Sequence, residues 1–196
     1  GLWLSVLLRP QAQPASLANL TLMAGLCVVK ALRSATGLDL AIKWPNDLVE
    51  MISGRKVCGI LTETILEEQR VLAAVIGIGI NVNTQELPPE IVHSATSLAI
   101  ASGHTWPRLA LLKEVLRHLN TGYERYIRTL DQPDPEWLRE YEEHCATLHR
   151  PVVVTQMDGK VIEGVATGLT SQGDLIIKRN DQQEILCHAG EVSVRG

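Results

Sequence analysis

The sequence predicts an α+β protein, in which a mixed β-sheet with packed helices is followed by a small antiparallel barrel. Three observations carry that prediction. The run "RVLAAVIGIGINVN" (70–83) is almost wholly apolar and too rich in Val, Ile and Gly to prefer helix, so it reads as a central strand buried on both faces. The segment from Pro14 to Gly37 repeats its apolar residues at helical spacing instead. After Leu148 the pattern becomes a series of short alternating segments split by turn dipeptides, the spacing of a small barrel.

Taken in order, Leu2 to Arg9 reads as a strand, because Arg9-Pro10 interrupts the apolar run too early for a signal peptide. Leu17, Leu20, Met23, Ala24, Cys27, Val28, Ala31 and Leu32 then mark one face of an amphipathic helix opened near Pro14 and closed by Gly37. "DLAIKWP" is a short strand stopped by Pro45, and "DLVEM" and "KVCGILTETIL" are two more joined across Ser53-Gly54. Residues 84–107 turn polar, with a short helix around Ser97 to Ala101. Helices follow over Trp106 to Leu130 and Asp134 to Cys145, the second opened by Asp134-Pro135-Glu136. "RPVVVTQ", "KVIEGVATGL", "GDLIIKR", "EILCHA" and "EVSVRG" are the barrel strands, punctuated by Asp158-Gly159, Gln172-Gly173 and Asn180-Asp181. The domain boundary falls near Leu148, giving units 1–147 and 148–196.

Composition narrows the function. A chain of 196 residues, 45% of them hydrophobic, can bury one sizeable core plus a small module. The formal charge of −4 and the lack of a basic cluster argue against nucleic acid as a partner. No apolar run reaches the roughly 18 residues that span a bilayer, so no membrane role is expected. Four scattered cysteines without a C-x-x-C pair fit a reducing, cytoplasmic setting. The six histidines form no ligand pattern either, so no protein-built metal site is expected and any metal should arrive with a substrate.

The polar chemistry sits in two places. In "IKWPNDLVEMISGRKVCGIL" (42–61), Trp44-Pro45-Asn46-Asp47 makes a turn that presents an amide and a carboxylate at the mouth of the sheet. If Ser53-Gly54 is a two-residue hairpin loop, Asp47 falls opposite Ile60. Lys56 is then about four residues away along the ribbon, roughly 13 Å, too far for a salt bridge. The two charges would serve opposite ends of an extended ligand. Taken alone, Lys56 reads equally well as a solvated edge-strand lysine, and the Pro-Asn-Asp turn as simple chain reversal. In "VIGIGINVN", Gly77, Gly79, Asn81 and Asn83 share one strand face, a flat floor for a planar ring or a phosphate. A close helix-to-sheet contact is the competing reading. A dinucleotide fingerprint is not, because the third glycine and the following helix are missing.

"KWPNDL", "GRKVCGILTE" and "GIGINVN", in this order, closely resemble the catalytic domain of the biotin protein ligase (biotin–acetyl-CoA-carboxylase ligase) family, and "GDLIIKRNDQQEILCHAGEVSVRG" resembles that family's SH3-like C-terminal domain. The resemblance implies a class II synthetase-like catalytic fold and a two-step reaction. Biotin and Mg-ATP form biotinyl-5′-AMP, and a lysine of a biotin carboxyl carrier domain then takes the acyl group. Lys56 matches the lysine that meets the biotin carboxylate and the adenylate, and Gly59 and Leu61 match the biotin site. Trp44, Asn46, Gly77, Gly79 and Asn81 match the nucleotide side. Asp47 matches the position that meets the acceptor lysine, whose ordinary pKa of about 10.4 keeps it protonated at neutral pH. The resemblance also admits a homodimer.

The family's Gly-Arg-Gly-Arg-x-Gly loop belongs upstream of the strand at Leu2 to Arg9, so residues 1–147 correspond to a catalytic domain lacking its N-terminal part. Two alternatives therefore stand beside the ligase reading: an incomplete unit that only binds carrier or ligand, and a relative transferring another acyl group such as lipoate.

Overall fold

The chain's main sheet is ordered β1-β5-β4-β3-β2, which places the glycine-rich strand beside the N-terminal one and the polar hairpin in the middle. Its strands are β1 (Leu2–Leu8), β2 (Leu40–Lys43), β3 (Asp47–Glu50), β4 (Lys56–Glu67) and β5 (Arg70–Ile80). The structure is a computed structural model and describes residues 1–12, 14–68, 70–130, 134–156, 159–188 and 190–194. Every named strand pairing is antiparallel, and among the described residues the parallel component is confined to two single bridges, Ile42 with Cys145 and Lys56 with Ala95.

Helix α1 (Ala18–Thr36) packs behind this sheet, preceded by a 3-10 turn over Pro14–Leu17. It stops where Gly37 adopts φ 70° and returns its N–H to the Arg33 carbonyl. The amphipathic reading of this helix is too narrow. Leu22, Leu26 and Val29 are buried as well, because the helix is covered by the sheet on one side and by α3 (Arg108–Arg128) on another. Gly122 of α3 lets the two helices meet closely, since a Cβ there would strike Cys27 Sγ. The short α2 (Leu98–Ser102) is capped by Ser97, whose Oγ accepts the Ile100 N–H at 3.0 Å. Asp134 caps α4 (Pro135–Glu143) in the same way and also receives Arg125. Among the described residues no helix is long and apolar enough to cross a membrane.

The strand β5 differs from expectation. Along it the even-numbered residues Ala74, Ile76, Ile78 and Ile80 are buried, whereas Val75, Gly77 and Gly79 are only partly covered. One face is turned into the core and the other lies open, so the strand is not buried on both faces. The run looked uniformly apolar because glycine leaves no polar mark on the open side.

The second sheet contains β6 (Pro151–Thr155), β7 (Val161–Leu169), β8 (Leu175–Lys178), β9 (Glu184–Cys187) and β10 (Glu191–Val194), in the order β10-β6-β7-β8-β9. Asp158 of the Asp158-Gly159 turn and the closing Arg195-Gly196 lie outside the described residues. The two sheets share a continuous apolar core. Residues 144–146 also bond to the outer edge of β2, through Ile42 N–H to the His144 carbonyl (2.7 Å) and Ala146 N–H to the Ile42 carbonyl (2.8 Å).

Candidate active site

The register of the polar hairpin decides the geometry of the site. Asp47 faces Gly59 and Leu48 faces Cys58, but Val49 faces Lys56, so Val57 is an extra residue on β4. Such a bulge reverses side-chain alternation beyond it. Cys58 and Ile60 point into the core, Gly59 points to the open side, and Lys56 joins Gly59 instead of following Cys58 inward. Lys56 Nζ then stands 2.6 Å from Asp47 Oδ1.

This corrects two expectations, that Asp47 lies opposite Ile60 and that Lys56 is too distant for an ion pair. The chain does not turn tightly at Ser53-Gly54 but takes a wider turn across Met51 to Arg55 before β4 begins. Glu50 staples that turn by accepting hydrogen bonds from Ile52 N (2.8 Å), Ser53 N (2.8 Å) and Ser53 Oγ (2.6 Å). Burial alone would raise the Glu50 carboxyl. The bonds from Ser53 and Ile52, with Arg55 nearby, outweigh it and hold the group below its usual value. On its outer side Lys56 is fixed by the 94–96 loop, through Lys56 N–H to the Ser94 carbonyl (2.9 Å) and Thr96 N–H to the Lys56 carbonyl (2.8 Å). The backbone of the lysine is thus held on both sides, by Val49 of β3 and by the 94–96 loop.

Asp47 Oδ1 is buried and, among the described residues, has no aligned hydrogen-bond donor, despite its closeness to Lys56. The contact is an electrostatic pair of poor alignment, which a better donor or acceptor can displace. Burial pushes the neighbouring Cys58 thiol well above its ordinary value, so it remains a thiol and is no nucleophile.

In front of this pair opens a cavity of about 920 Å³. Its floor is the register row Lys43–Asp47–Gly59–Gly79–Trp3, one residue from each of the five strands. The next row places Leu61, Gly77 and Ser5 side by side. Gly59 and Gly79 are direct neighbours, leaving a shallow trough at the centre. Trp3 closes one end: a Cβ on Gly79 would lie 2.5 Å from its ring, so the indole rests on the glycine backbone.

Of the residues singled out in the sequence, Lys56, Asp47, Gly59, Leu61, Asn46, Gly77, Gly79 and Asn81 all line this cavity. Asn46 also uses its amide to donate to the Ile60 carbonyl (2.9 Å), and Asn81 donates to the Thr96 carbonyl (3.0 Å). Trp44 is different. It is 2% exposed, and its ring N–H donates to the Gly173 carbonyl at 3.0 Å, so it locks the loop to the second sheet and does not reach the cavity. Trp3, Ser5, Lys43 and Glu191 line the cavity without having been singled out. The first three were within reach of cross-strand counting from Gly77, Gly79 and Asp47. Glu191 was not, because nothing local ties β10 to the first sheet.

Comparison with known proteins bears on what this arrangement is. Residues 1–81 match the model of the biotin/lipoate A/B protein ligase family, and residues 147–195 match that of the biotin protein ligase C-terminal domain. The crystal structure of biotin protein ligase from Aquifex aeolicus superposes with a TM-score of 0.82 at 30% identity, covering 98% of this chain and 81% of that one. The chain belongs to the biotin protein ligase family. The Aquifex biotin protein ligase in complex with biotin and ATP matches with a TM-score of 0.80 at 29% identity, covering 98% of this chain and 78% of that one. Among curated ligases, the bifunctional ligase/repressor BirA of Bacillus subtilis is 35% identical over 183 residues, 92% of this chain and 54% of its own length. BirA of Escherichia coli is 29% identical over 197 residues, 100% of this chain and 59% of its own length. The chain therefore spans roughly half the length of the BirA relatives it matches.

Proposed function

We propose that this chain carries the active site for ATP-dependent attachment of biotin to a lysine of a biotin carboxyl carrier domain, through biotinyl-5′-AMP. The observation that supports this most directly is the Lys56–Asp47 pair poised over a side-chain-free trough. A fused ring fits the floor of Gly59 and Leu61, with its acyl tail directed at Lys56. In the first step a carboxylate oxygen bonds to the α-phosphorus of Mg-ATP as the bond to pyrophosphate breaks. The Lys56 ammonium leaves its misaligned partner to neutralise charge building on the phosphate oxygens. In the second step the acceptor amine attacks the acyl carbon and AMP leaves. Asp47, relieved of Lys56, accepts a hydrogen bond from that amine and helps remove its proton. Asn46, Gly77, Gly79 and Asn81 line the nucleotide side in this reading.

The same reading assigns residues 1–147 to the catalytic unit and 148–196 to an SH3-like unit that braces the Asp47 loop through Trp44 and Gly173. The test supplies the 196-residue chain with biotin, ATP and Mg2+ and follows pyrophosphate release, then adds a carrier domain and follows its labelling. Release and labelling that both depend on biotin are expected. Preference for lipoate over biotin would overturn the substrate, and biotin binding with no pyrophosphate release would leave a binding module.

A further inference from the structure

We infer that Lys43 is a second catalytic cation, the one that neutralises the departing pyrophosphate in the adenylation step; this rests on the proposed function. Three observations lead to it. Lys43 lines the cavity and faces Asp47 directly across the β2–β3 ladder. It is half-buried, yet among the described residues no side chain pairs with it, because Asp47 leans to Lys56 on the opposite strand. Finally, the floor of the cavity is ordered. From Trp3 inward come Gly79 and Gly59, then the Lys56–Asp47 pair, then Lys43.

That order matches the stereochemistry of the displacement. The acyl carboxylate approaches the α-phosphorus from the Gly59 side, where Lys56 hangs over the trough. In-line displacement puts the breaking bond on the far side of the phosphorus. As the new oxygen–phosphorus bond forms, the electron pair of the old one departs on the bridging oxygen of pyrophosphate. Lys43 stands on that far side, two strands from Gly59 and thus about 10 Å from it at the usual strand spacing. A compact ammonium on a flexible stem suits a leaving group that must depart after each turnover. Asp47, between the two lysines, keeps them from repelling each other while the site is empty.

The experiment compares the full chain with Lys43→Ala, Lys43→Arg and the surface control Lys113→Ala. Inorganic pyrophosphate is titrated at fixed ionic strength, and the two half-reactions are timed separately, the second with synthetic biotinyl-5′-AMP and a carrier domain. Lys43→Ala should weaken pyrophosphate binding at least about tenfold and slow adenylation about 100-fold. Transfer from the supplied adenylate should stay within about twofold, since no pyrophosphate takes part in it. Lys43→Arg should recover part of the loss. Equal loss in both half-reactions, or pyrophosphate binding no weaker than in Lys113→Ala, would overturn the inference. A wild-type chain that forms no adenylate would sink the proposed function instead, and the pyrophosphate titration would still decide whether Lys43 marks an anion site.

Discussion

Replacing Gly59 by alanine separates the chemistry of the trough from its stability. A Cβ at this position would lie 2.9 Å from Lys56 Nζ, 3.0 Å from Lys56 Cε and 3.7 Å from Asp47 Oδ1. The first two contacts are too close, but they involve the mobile end of a long side chain. The ammonium must retreat by about 1 Å to restore ordinary van der Waals distance. Stability should hardly change: the Lys56 side chain is 44% exposed, so weakening its ion pair costs less than about 1 kcal/mol. Replacing a mid-strand glycine returns a similar amount of backbone entropy. Catalysis should respond far more, since a misplacement of about 1 Å at a reacting group costs on the order of 100-fold. The added methyl also raises the floor where the ring sits, so KM for biotin should rise. Urea unfolding and pyrophosphate release measure the two effects on the same protein. Adenylation within twofold of wild type at unchanged KM would refute the claim that Lys56 works from directly above Gly59.

Other substitutions divide the remaining roles. Lys56→Ala should lose adenylation by 100-fold or more, on the order of removing one preorganised charge from a transition state, with a melting midpoint close to wild type. Asp47→Asn should keep adenylation and lower transfer from supplied biotinyl-5′-AMP by about 100-fold or more, measured by carrier labelling. Gly122→Ala drives a methyl into Cys27 Sγ and to 3.1 Å from Met23 Sδ. It should destabilise by about 1 to 3 kcal/mol, less up to about 1 kcal/mol gained in helix propensity, as read by urea midpoint. Stability should also fall in acid. Glu50 and Glu140 are held below their ordinary 4.5, and Asp134 below 3.8, by hydrogen bonds and cationic neighbours. The unfolded chain therefore binds more protons in this range, so stability is full above these ordinary values and lost as pH drops through the folded-state values. Urea midpoints between pH 7 and pH 3 test this, and Glu50→Gln should flatten the acid limb.

The sequence made the elements of this fold legible because their signals are local. Gly37 and Asp134 end and begin helices by chemistry confined to a turn, and the paired segments after Leu148 announce themselves by alternation. The residues of the site were legible as types and as a motif, but their distances were not. Whether Lys56 and Asp47 touch depends on the single extra residue at Val57, which no hydrophobic pattern marks because Val57 and Cys58 are both buried. Trp44 misled for the opposite reason. It sits within the motif next to functional residues, but its binding partner, the Gly173 carbonyl, is 129 positions away and invisible to any local rule. Trp3 was hidden in a strand that reads as plain apolar alternation until its neighbour is known to be a glycine.

The bulge at Val57 has a consequence for how this hairpin can change over evolution or in the laboratory. A strand keeps count in twos, and Lys56 stands two residues before Cys58, so only the bulge at Val57 puts their side chains on opposite faces. Deleting Val57 would set Lys56 next to Cys58 in a regular strand and keep the ammonium on the open face, whereas pairing Val57 regularly at unchanged length would turn the ammonium toward the core. Extra residues in the turn between Met51 and Arg55 would leave the count untouched. The length of that turn is therefore free to drift, whereas the residue at position 57 must stay unpaired or be absent.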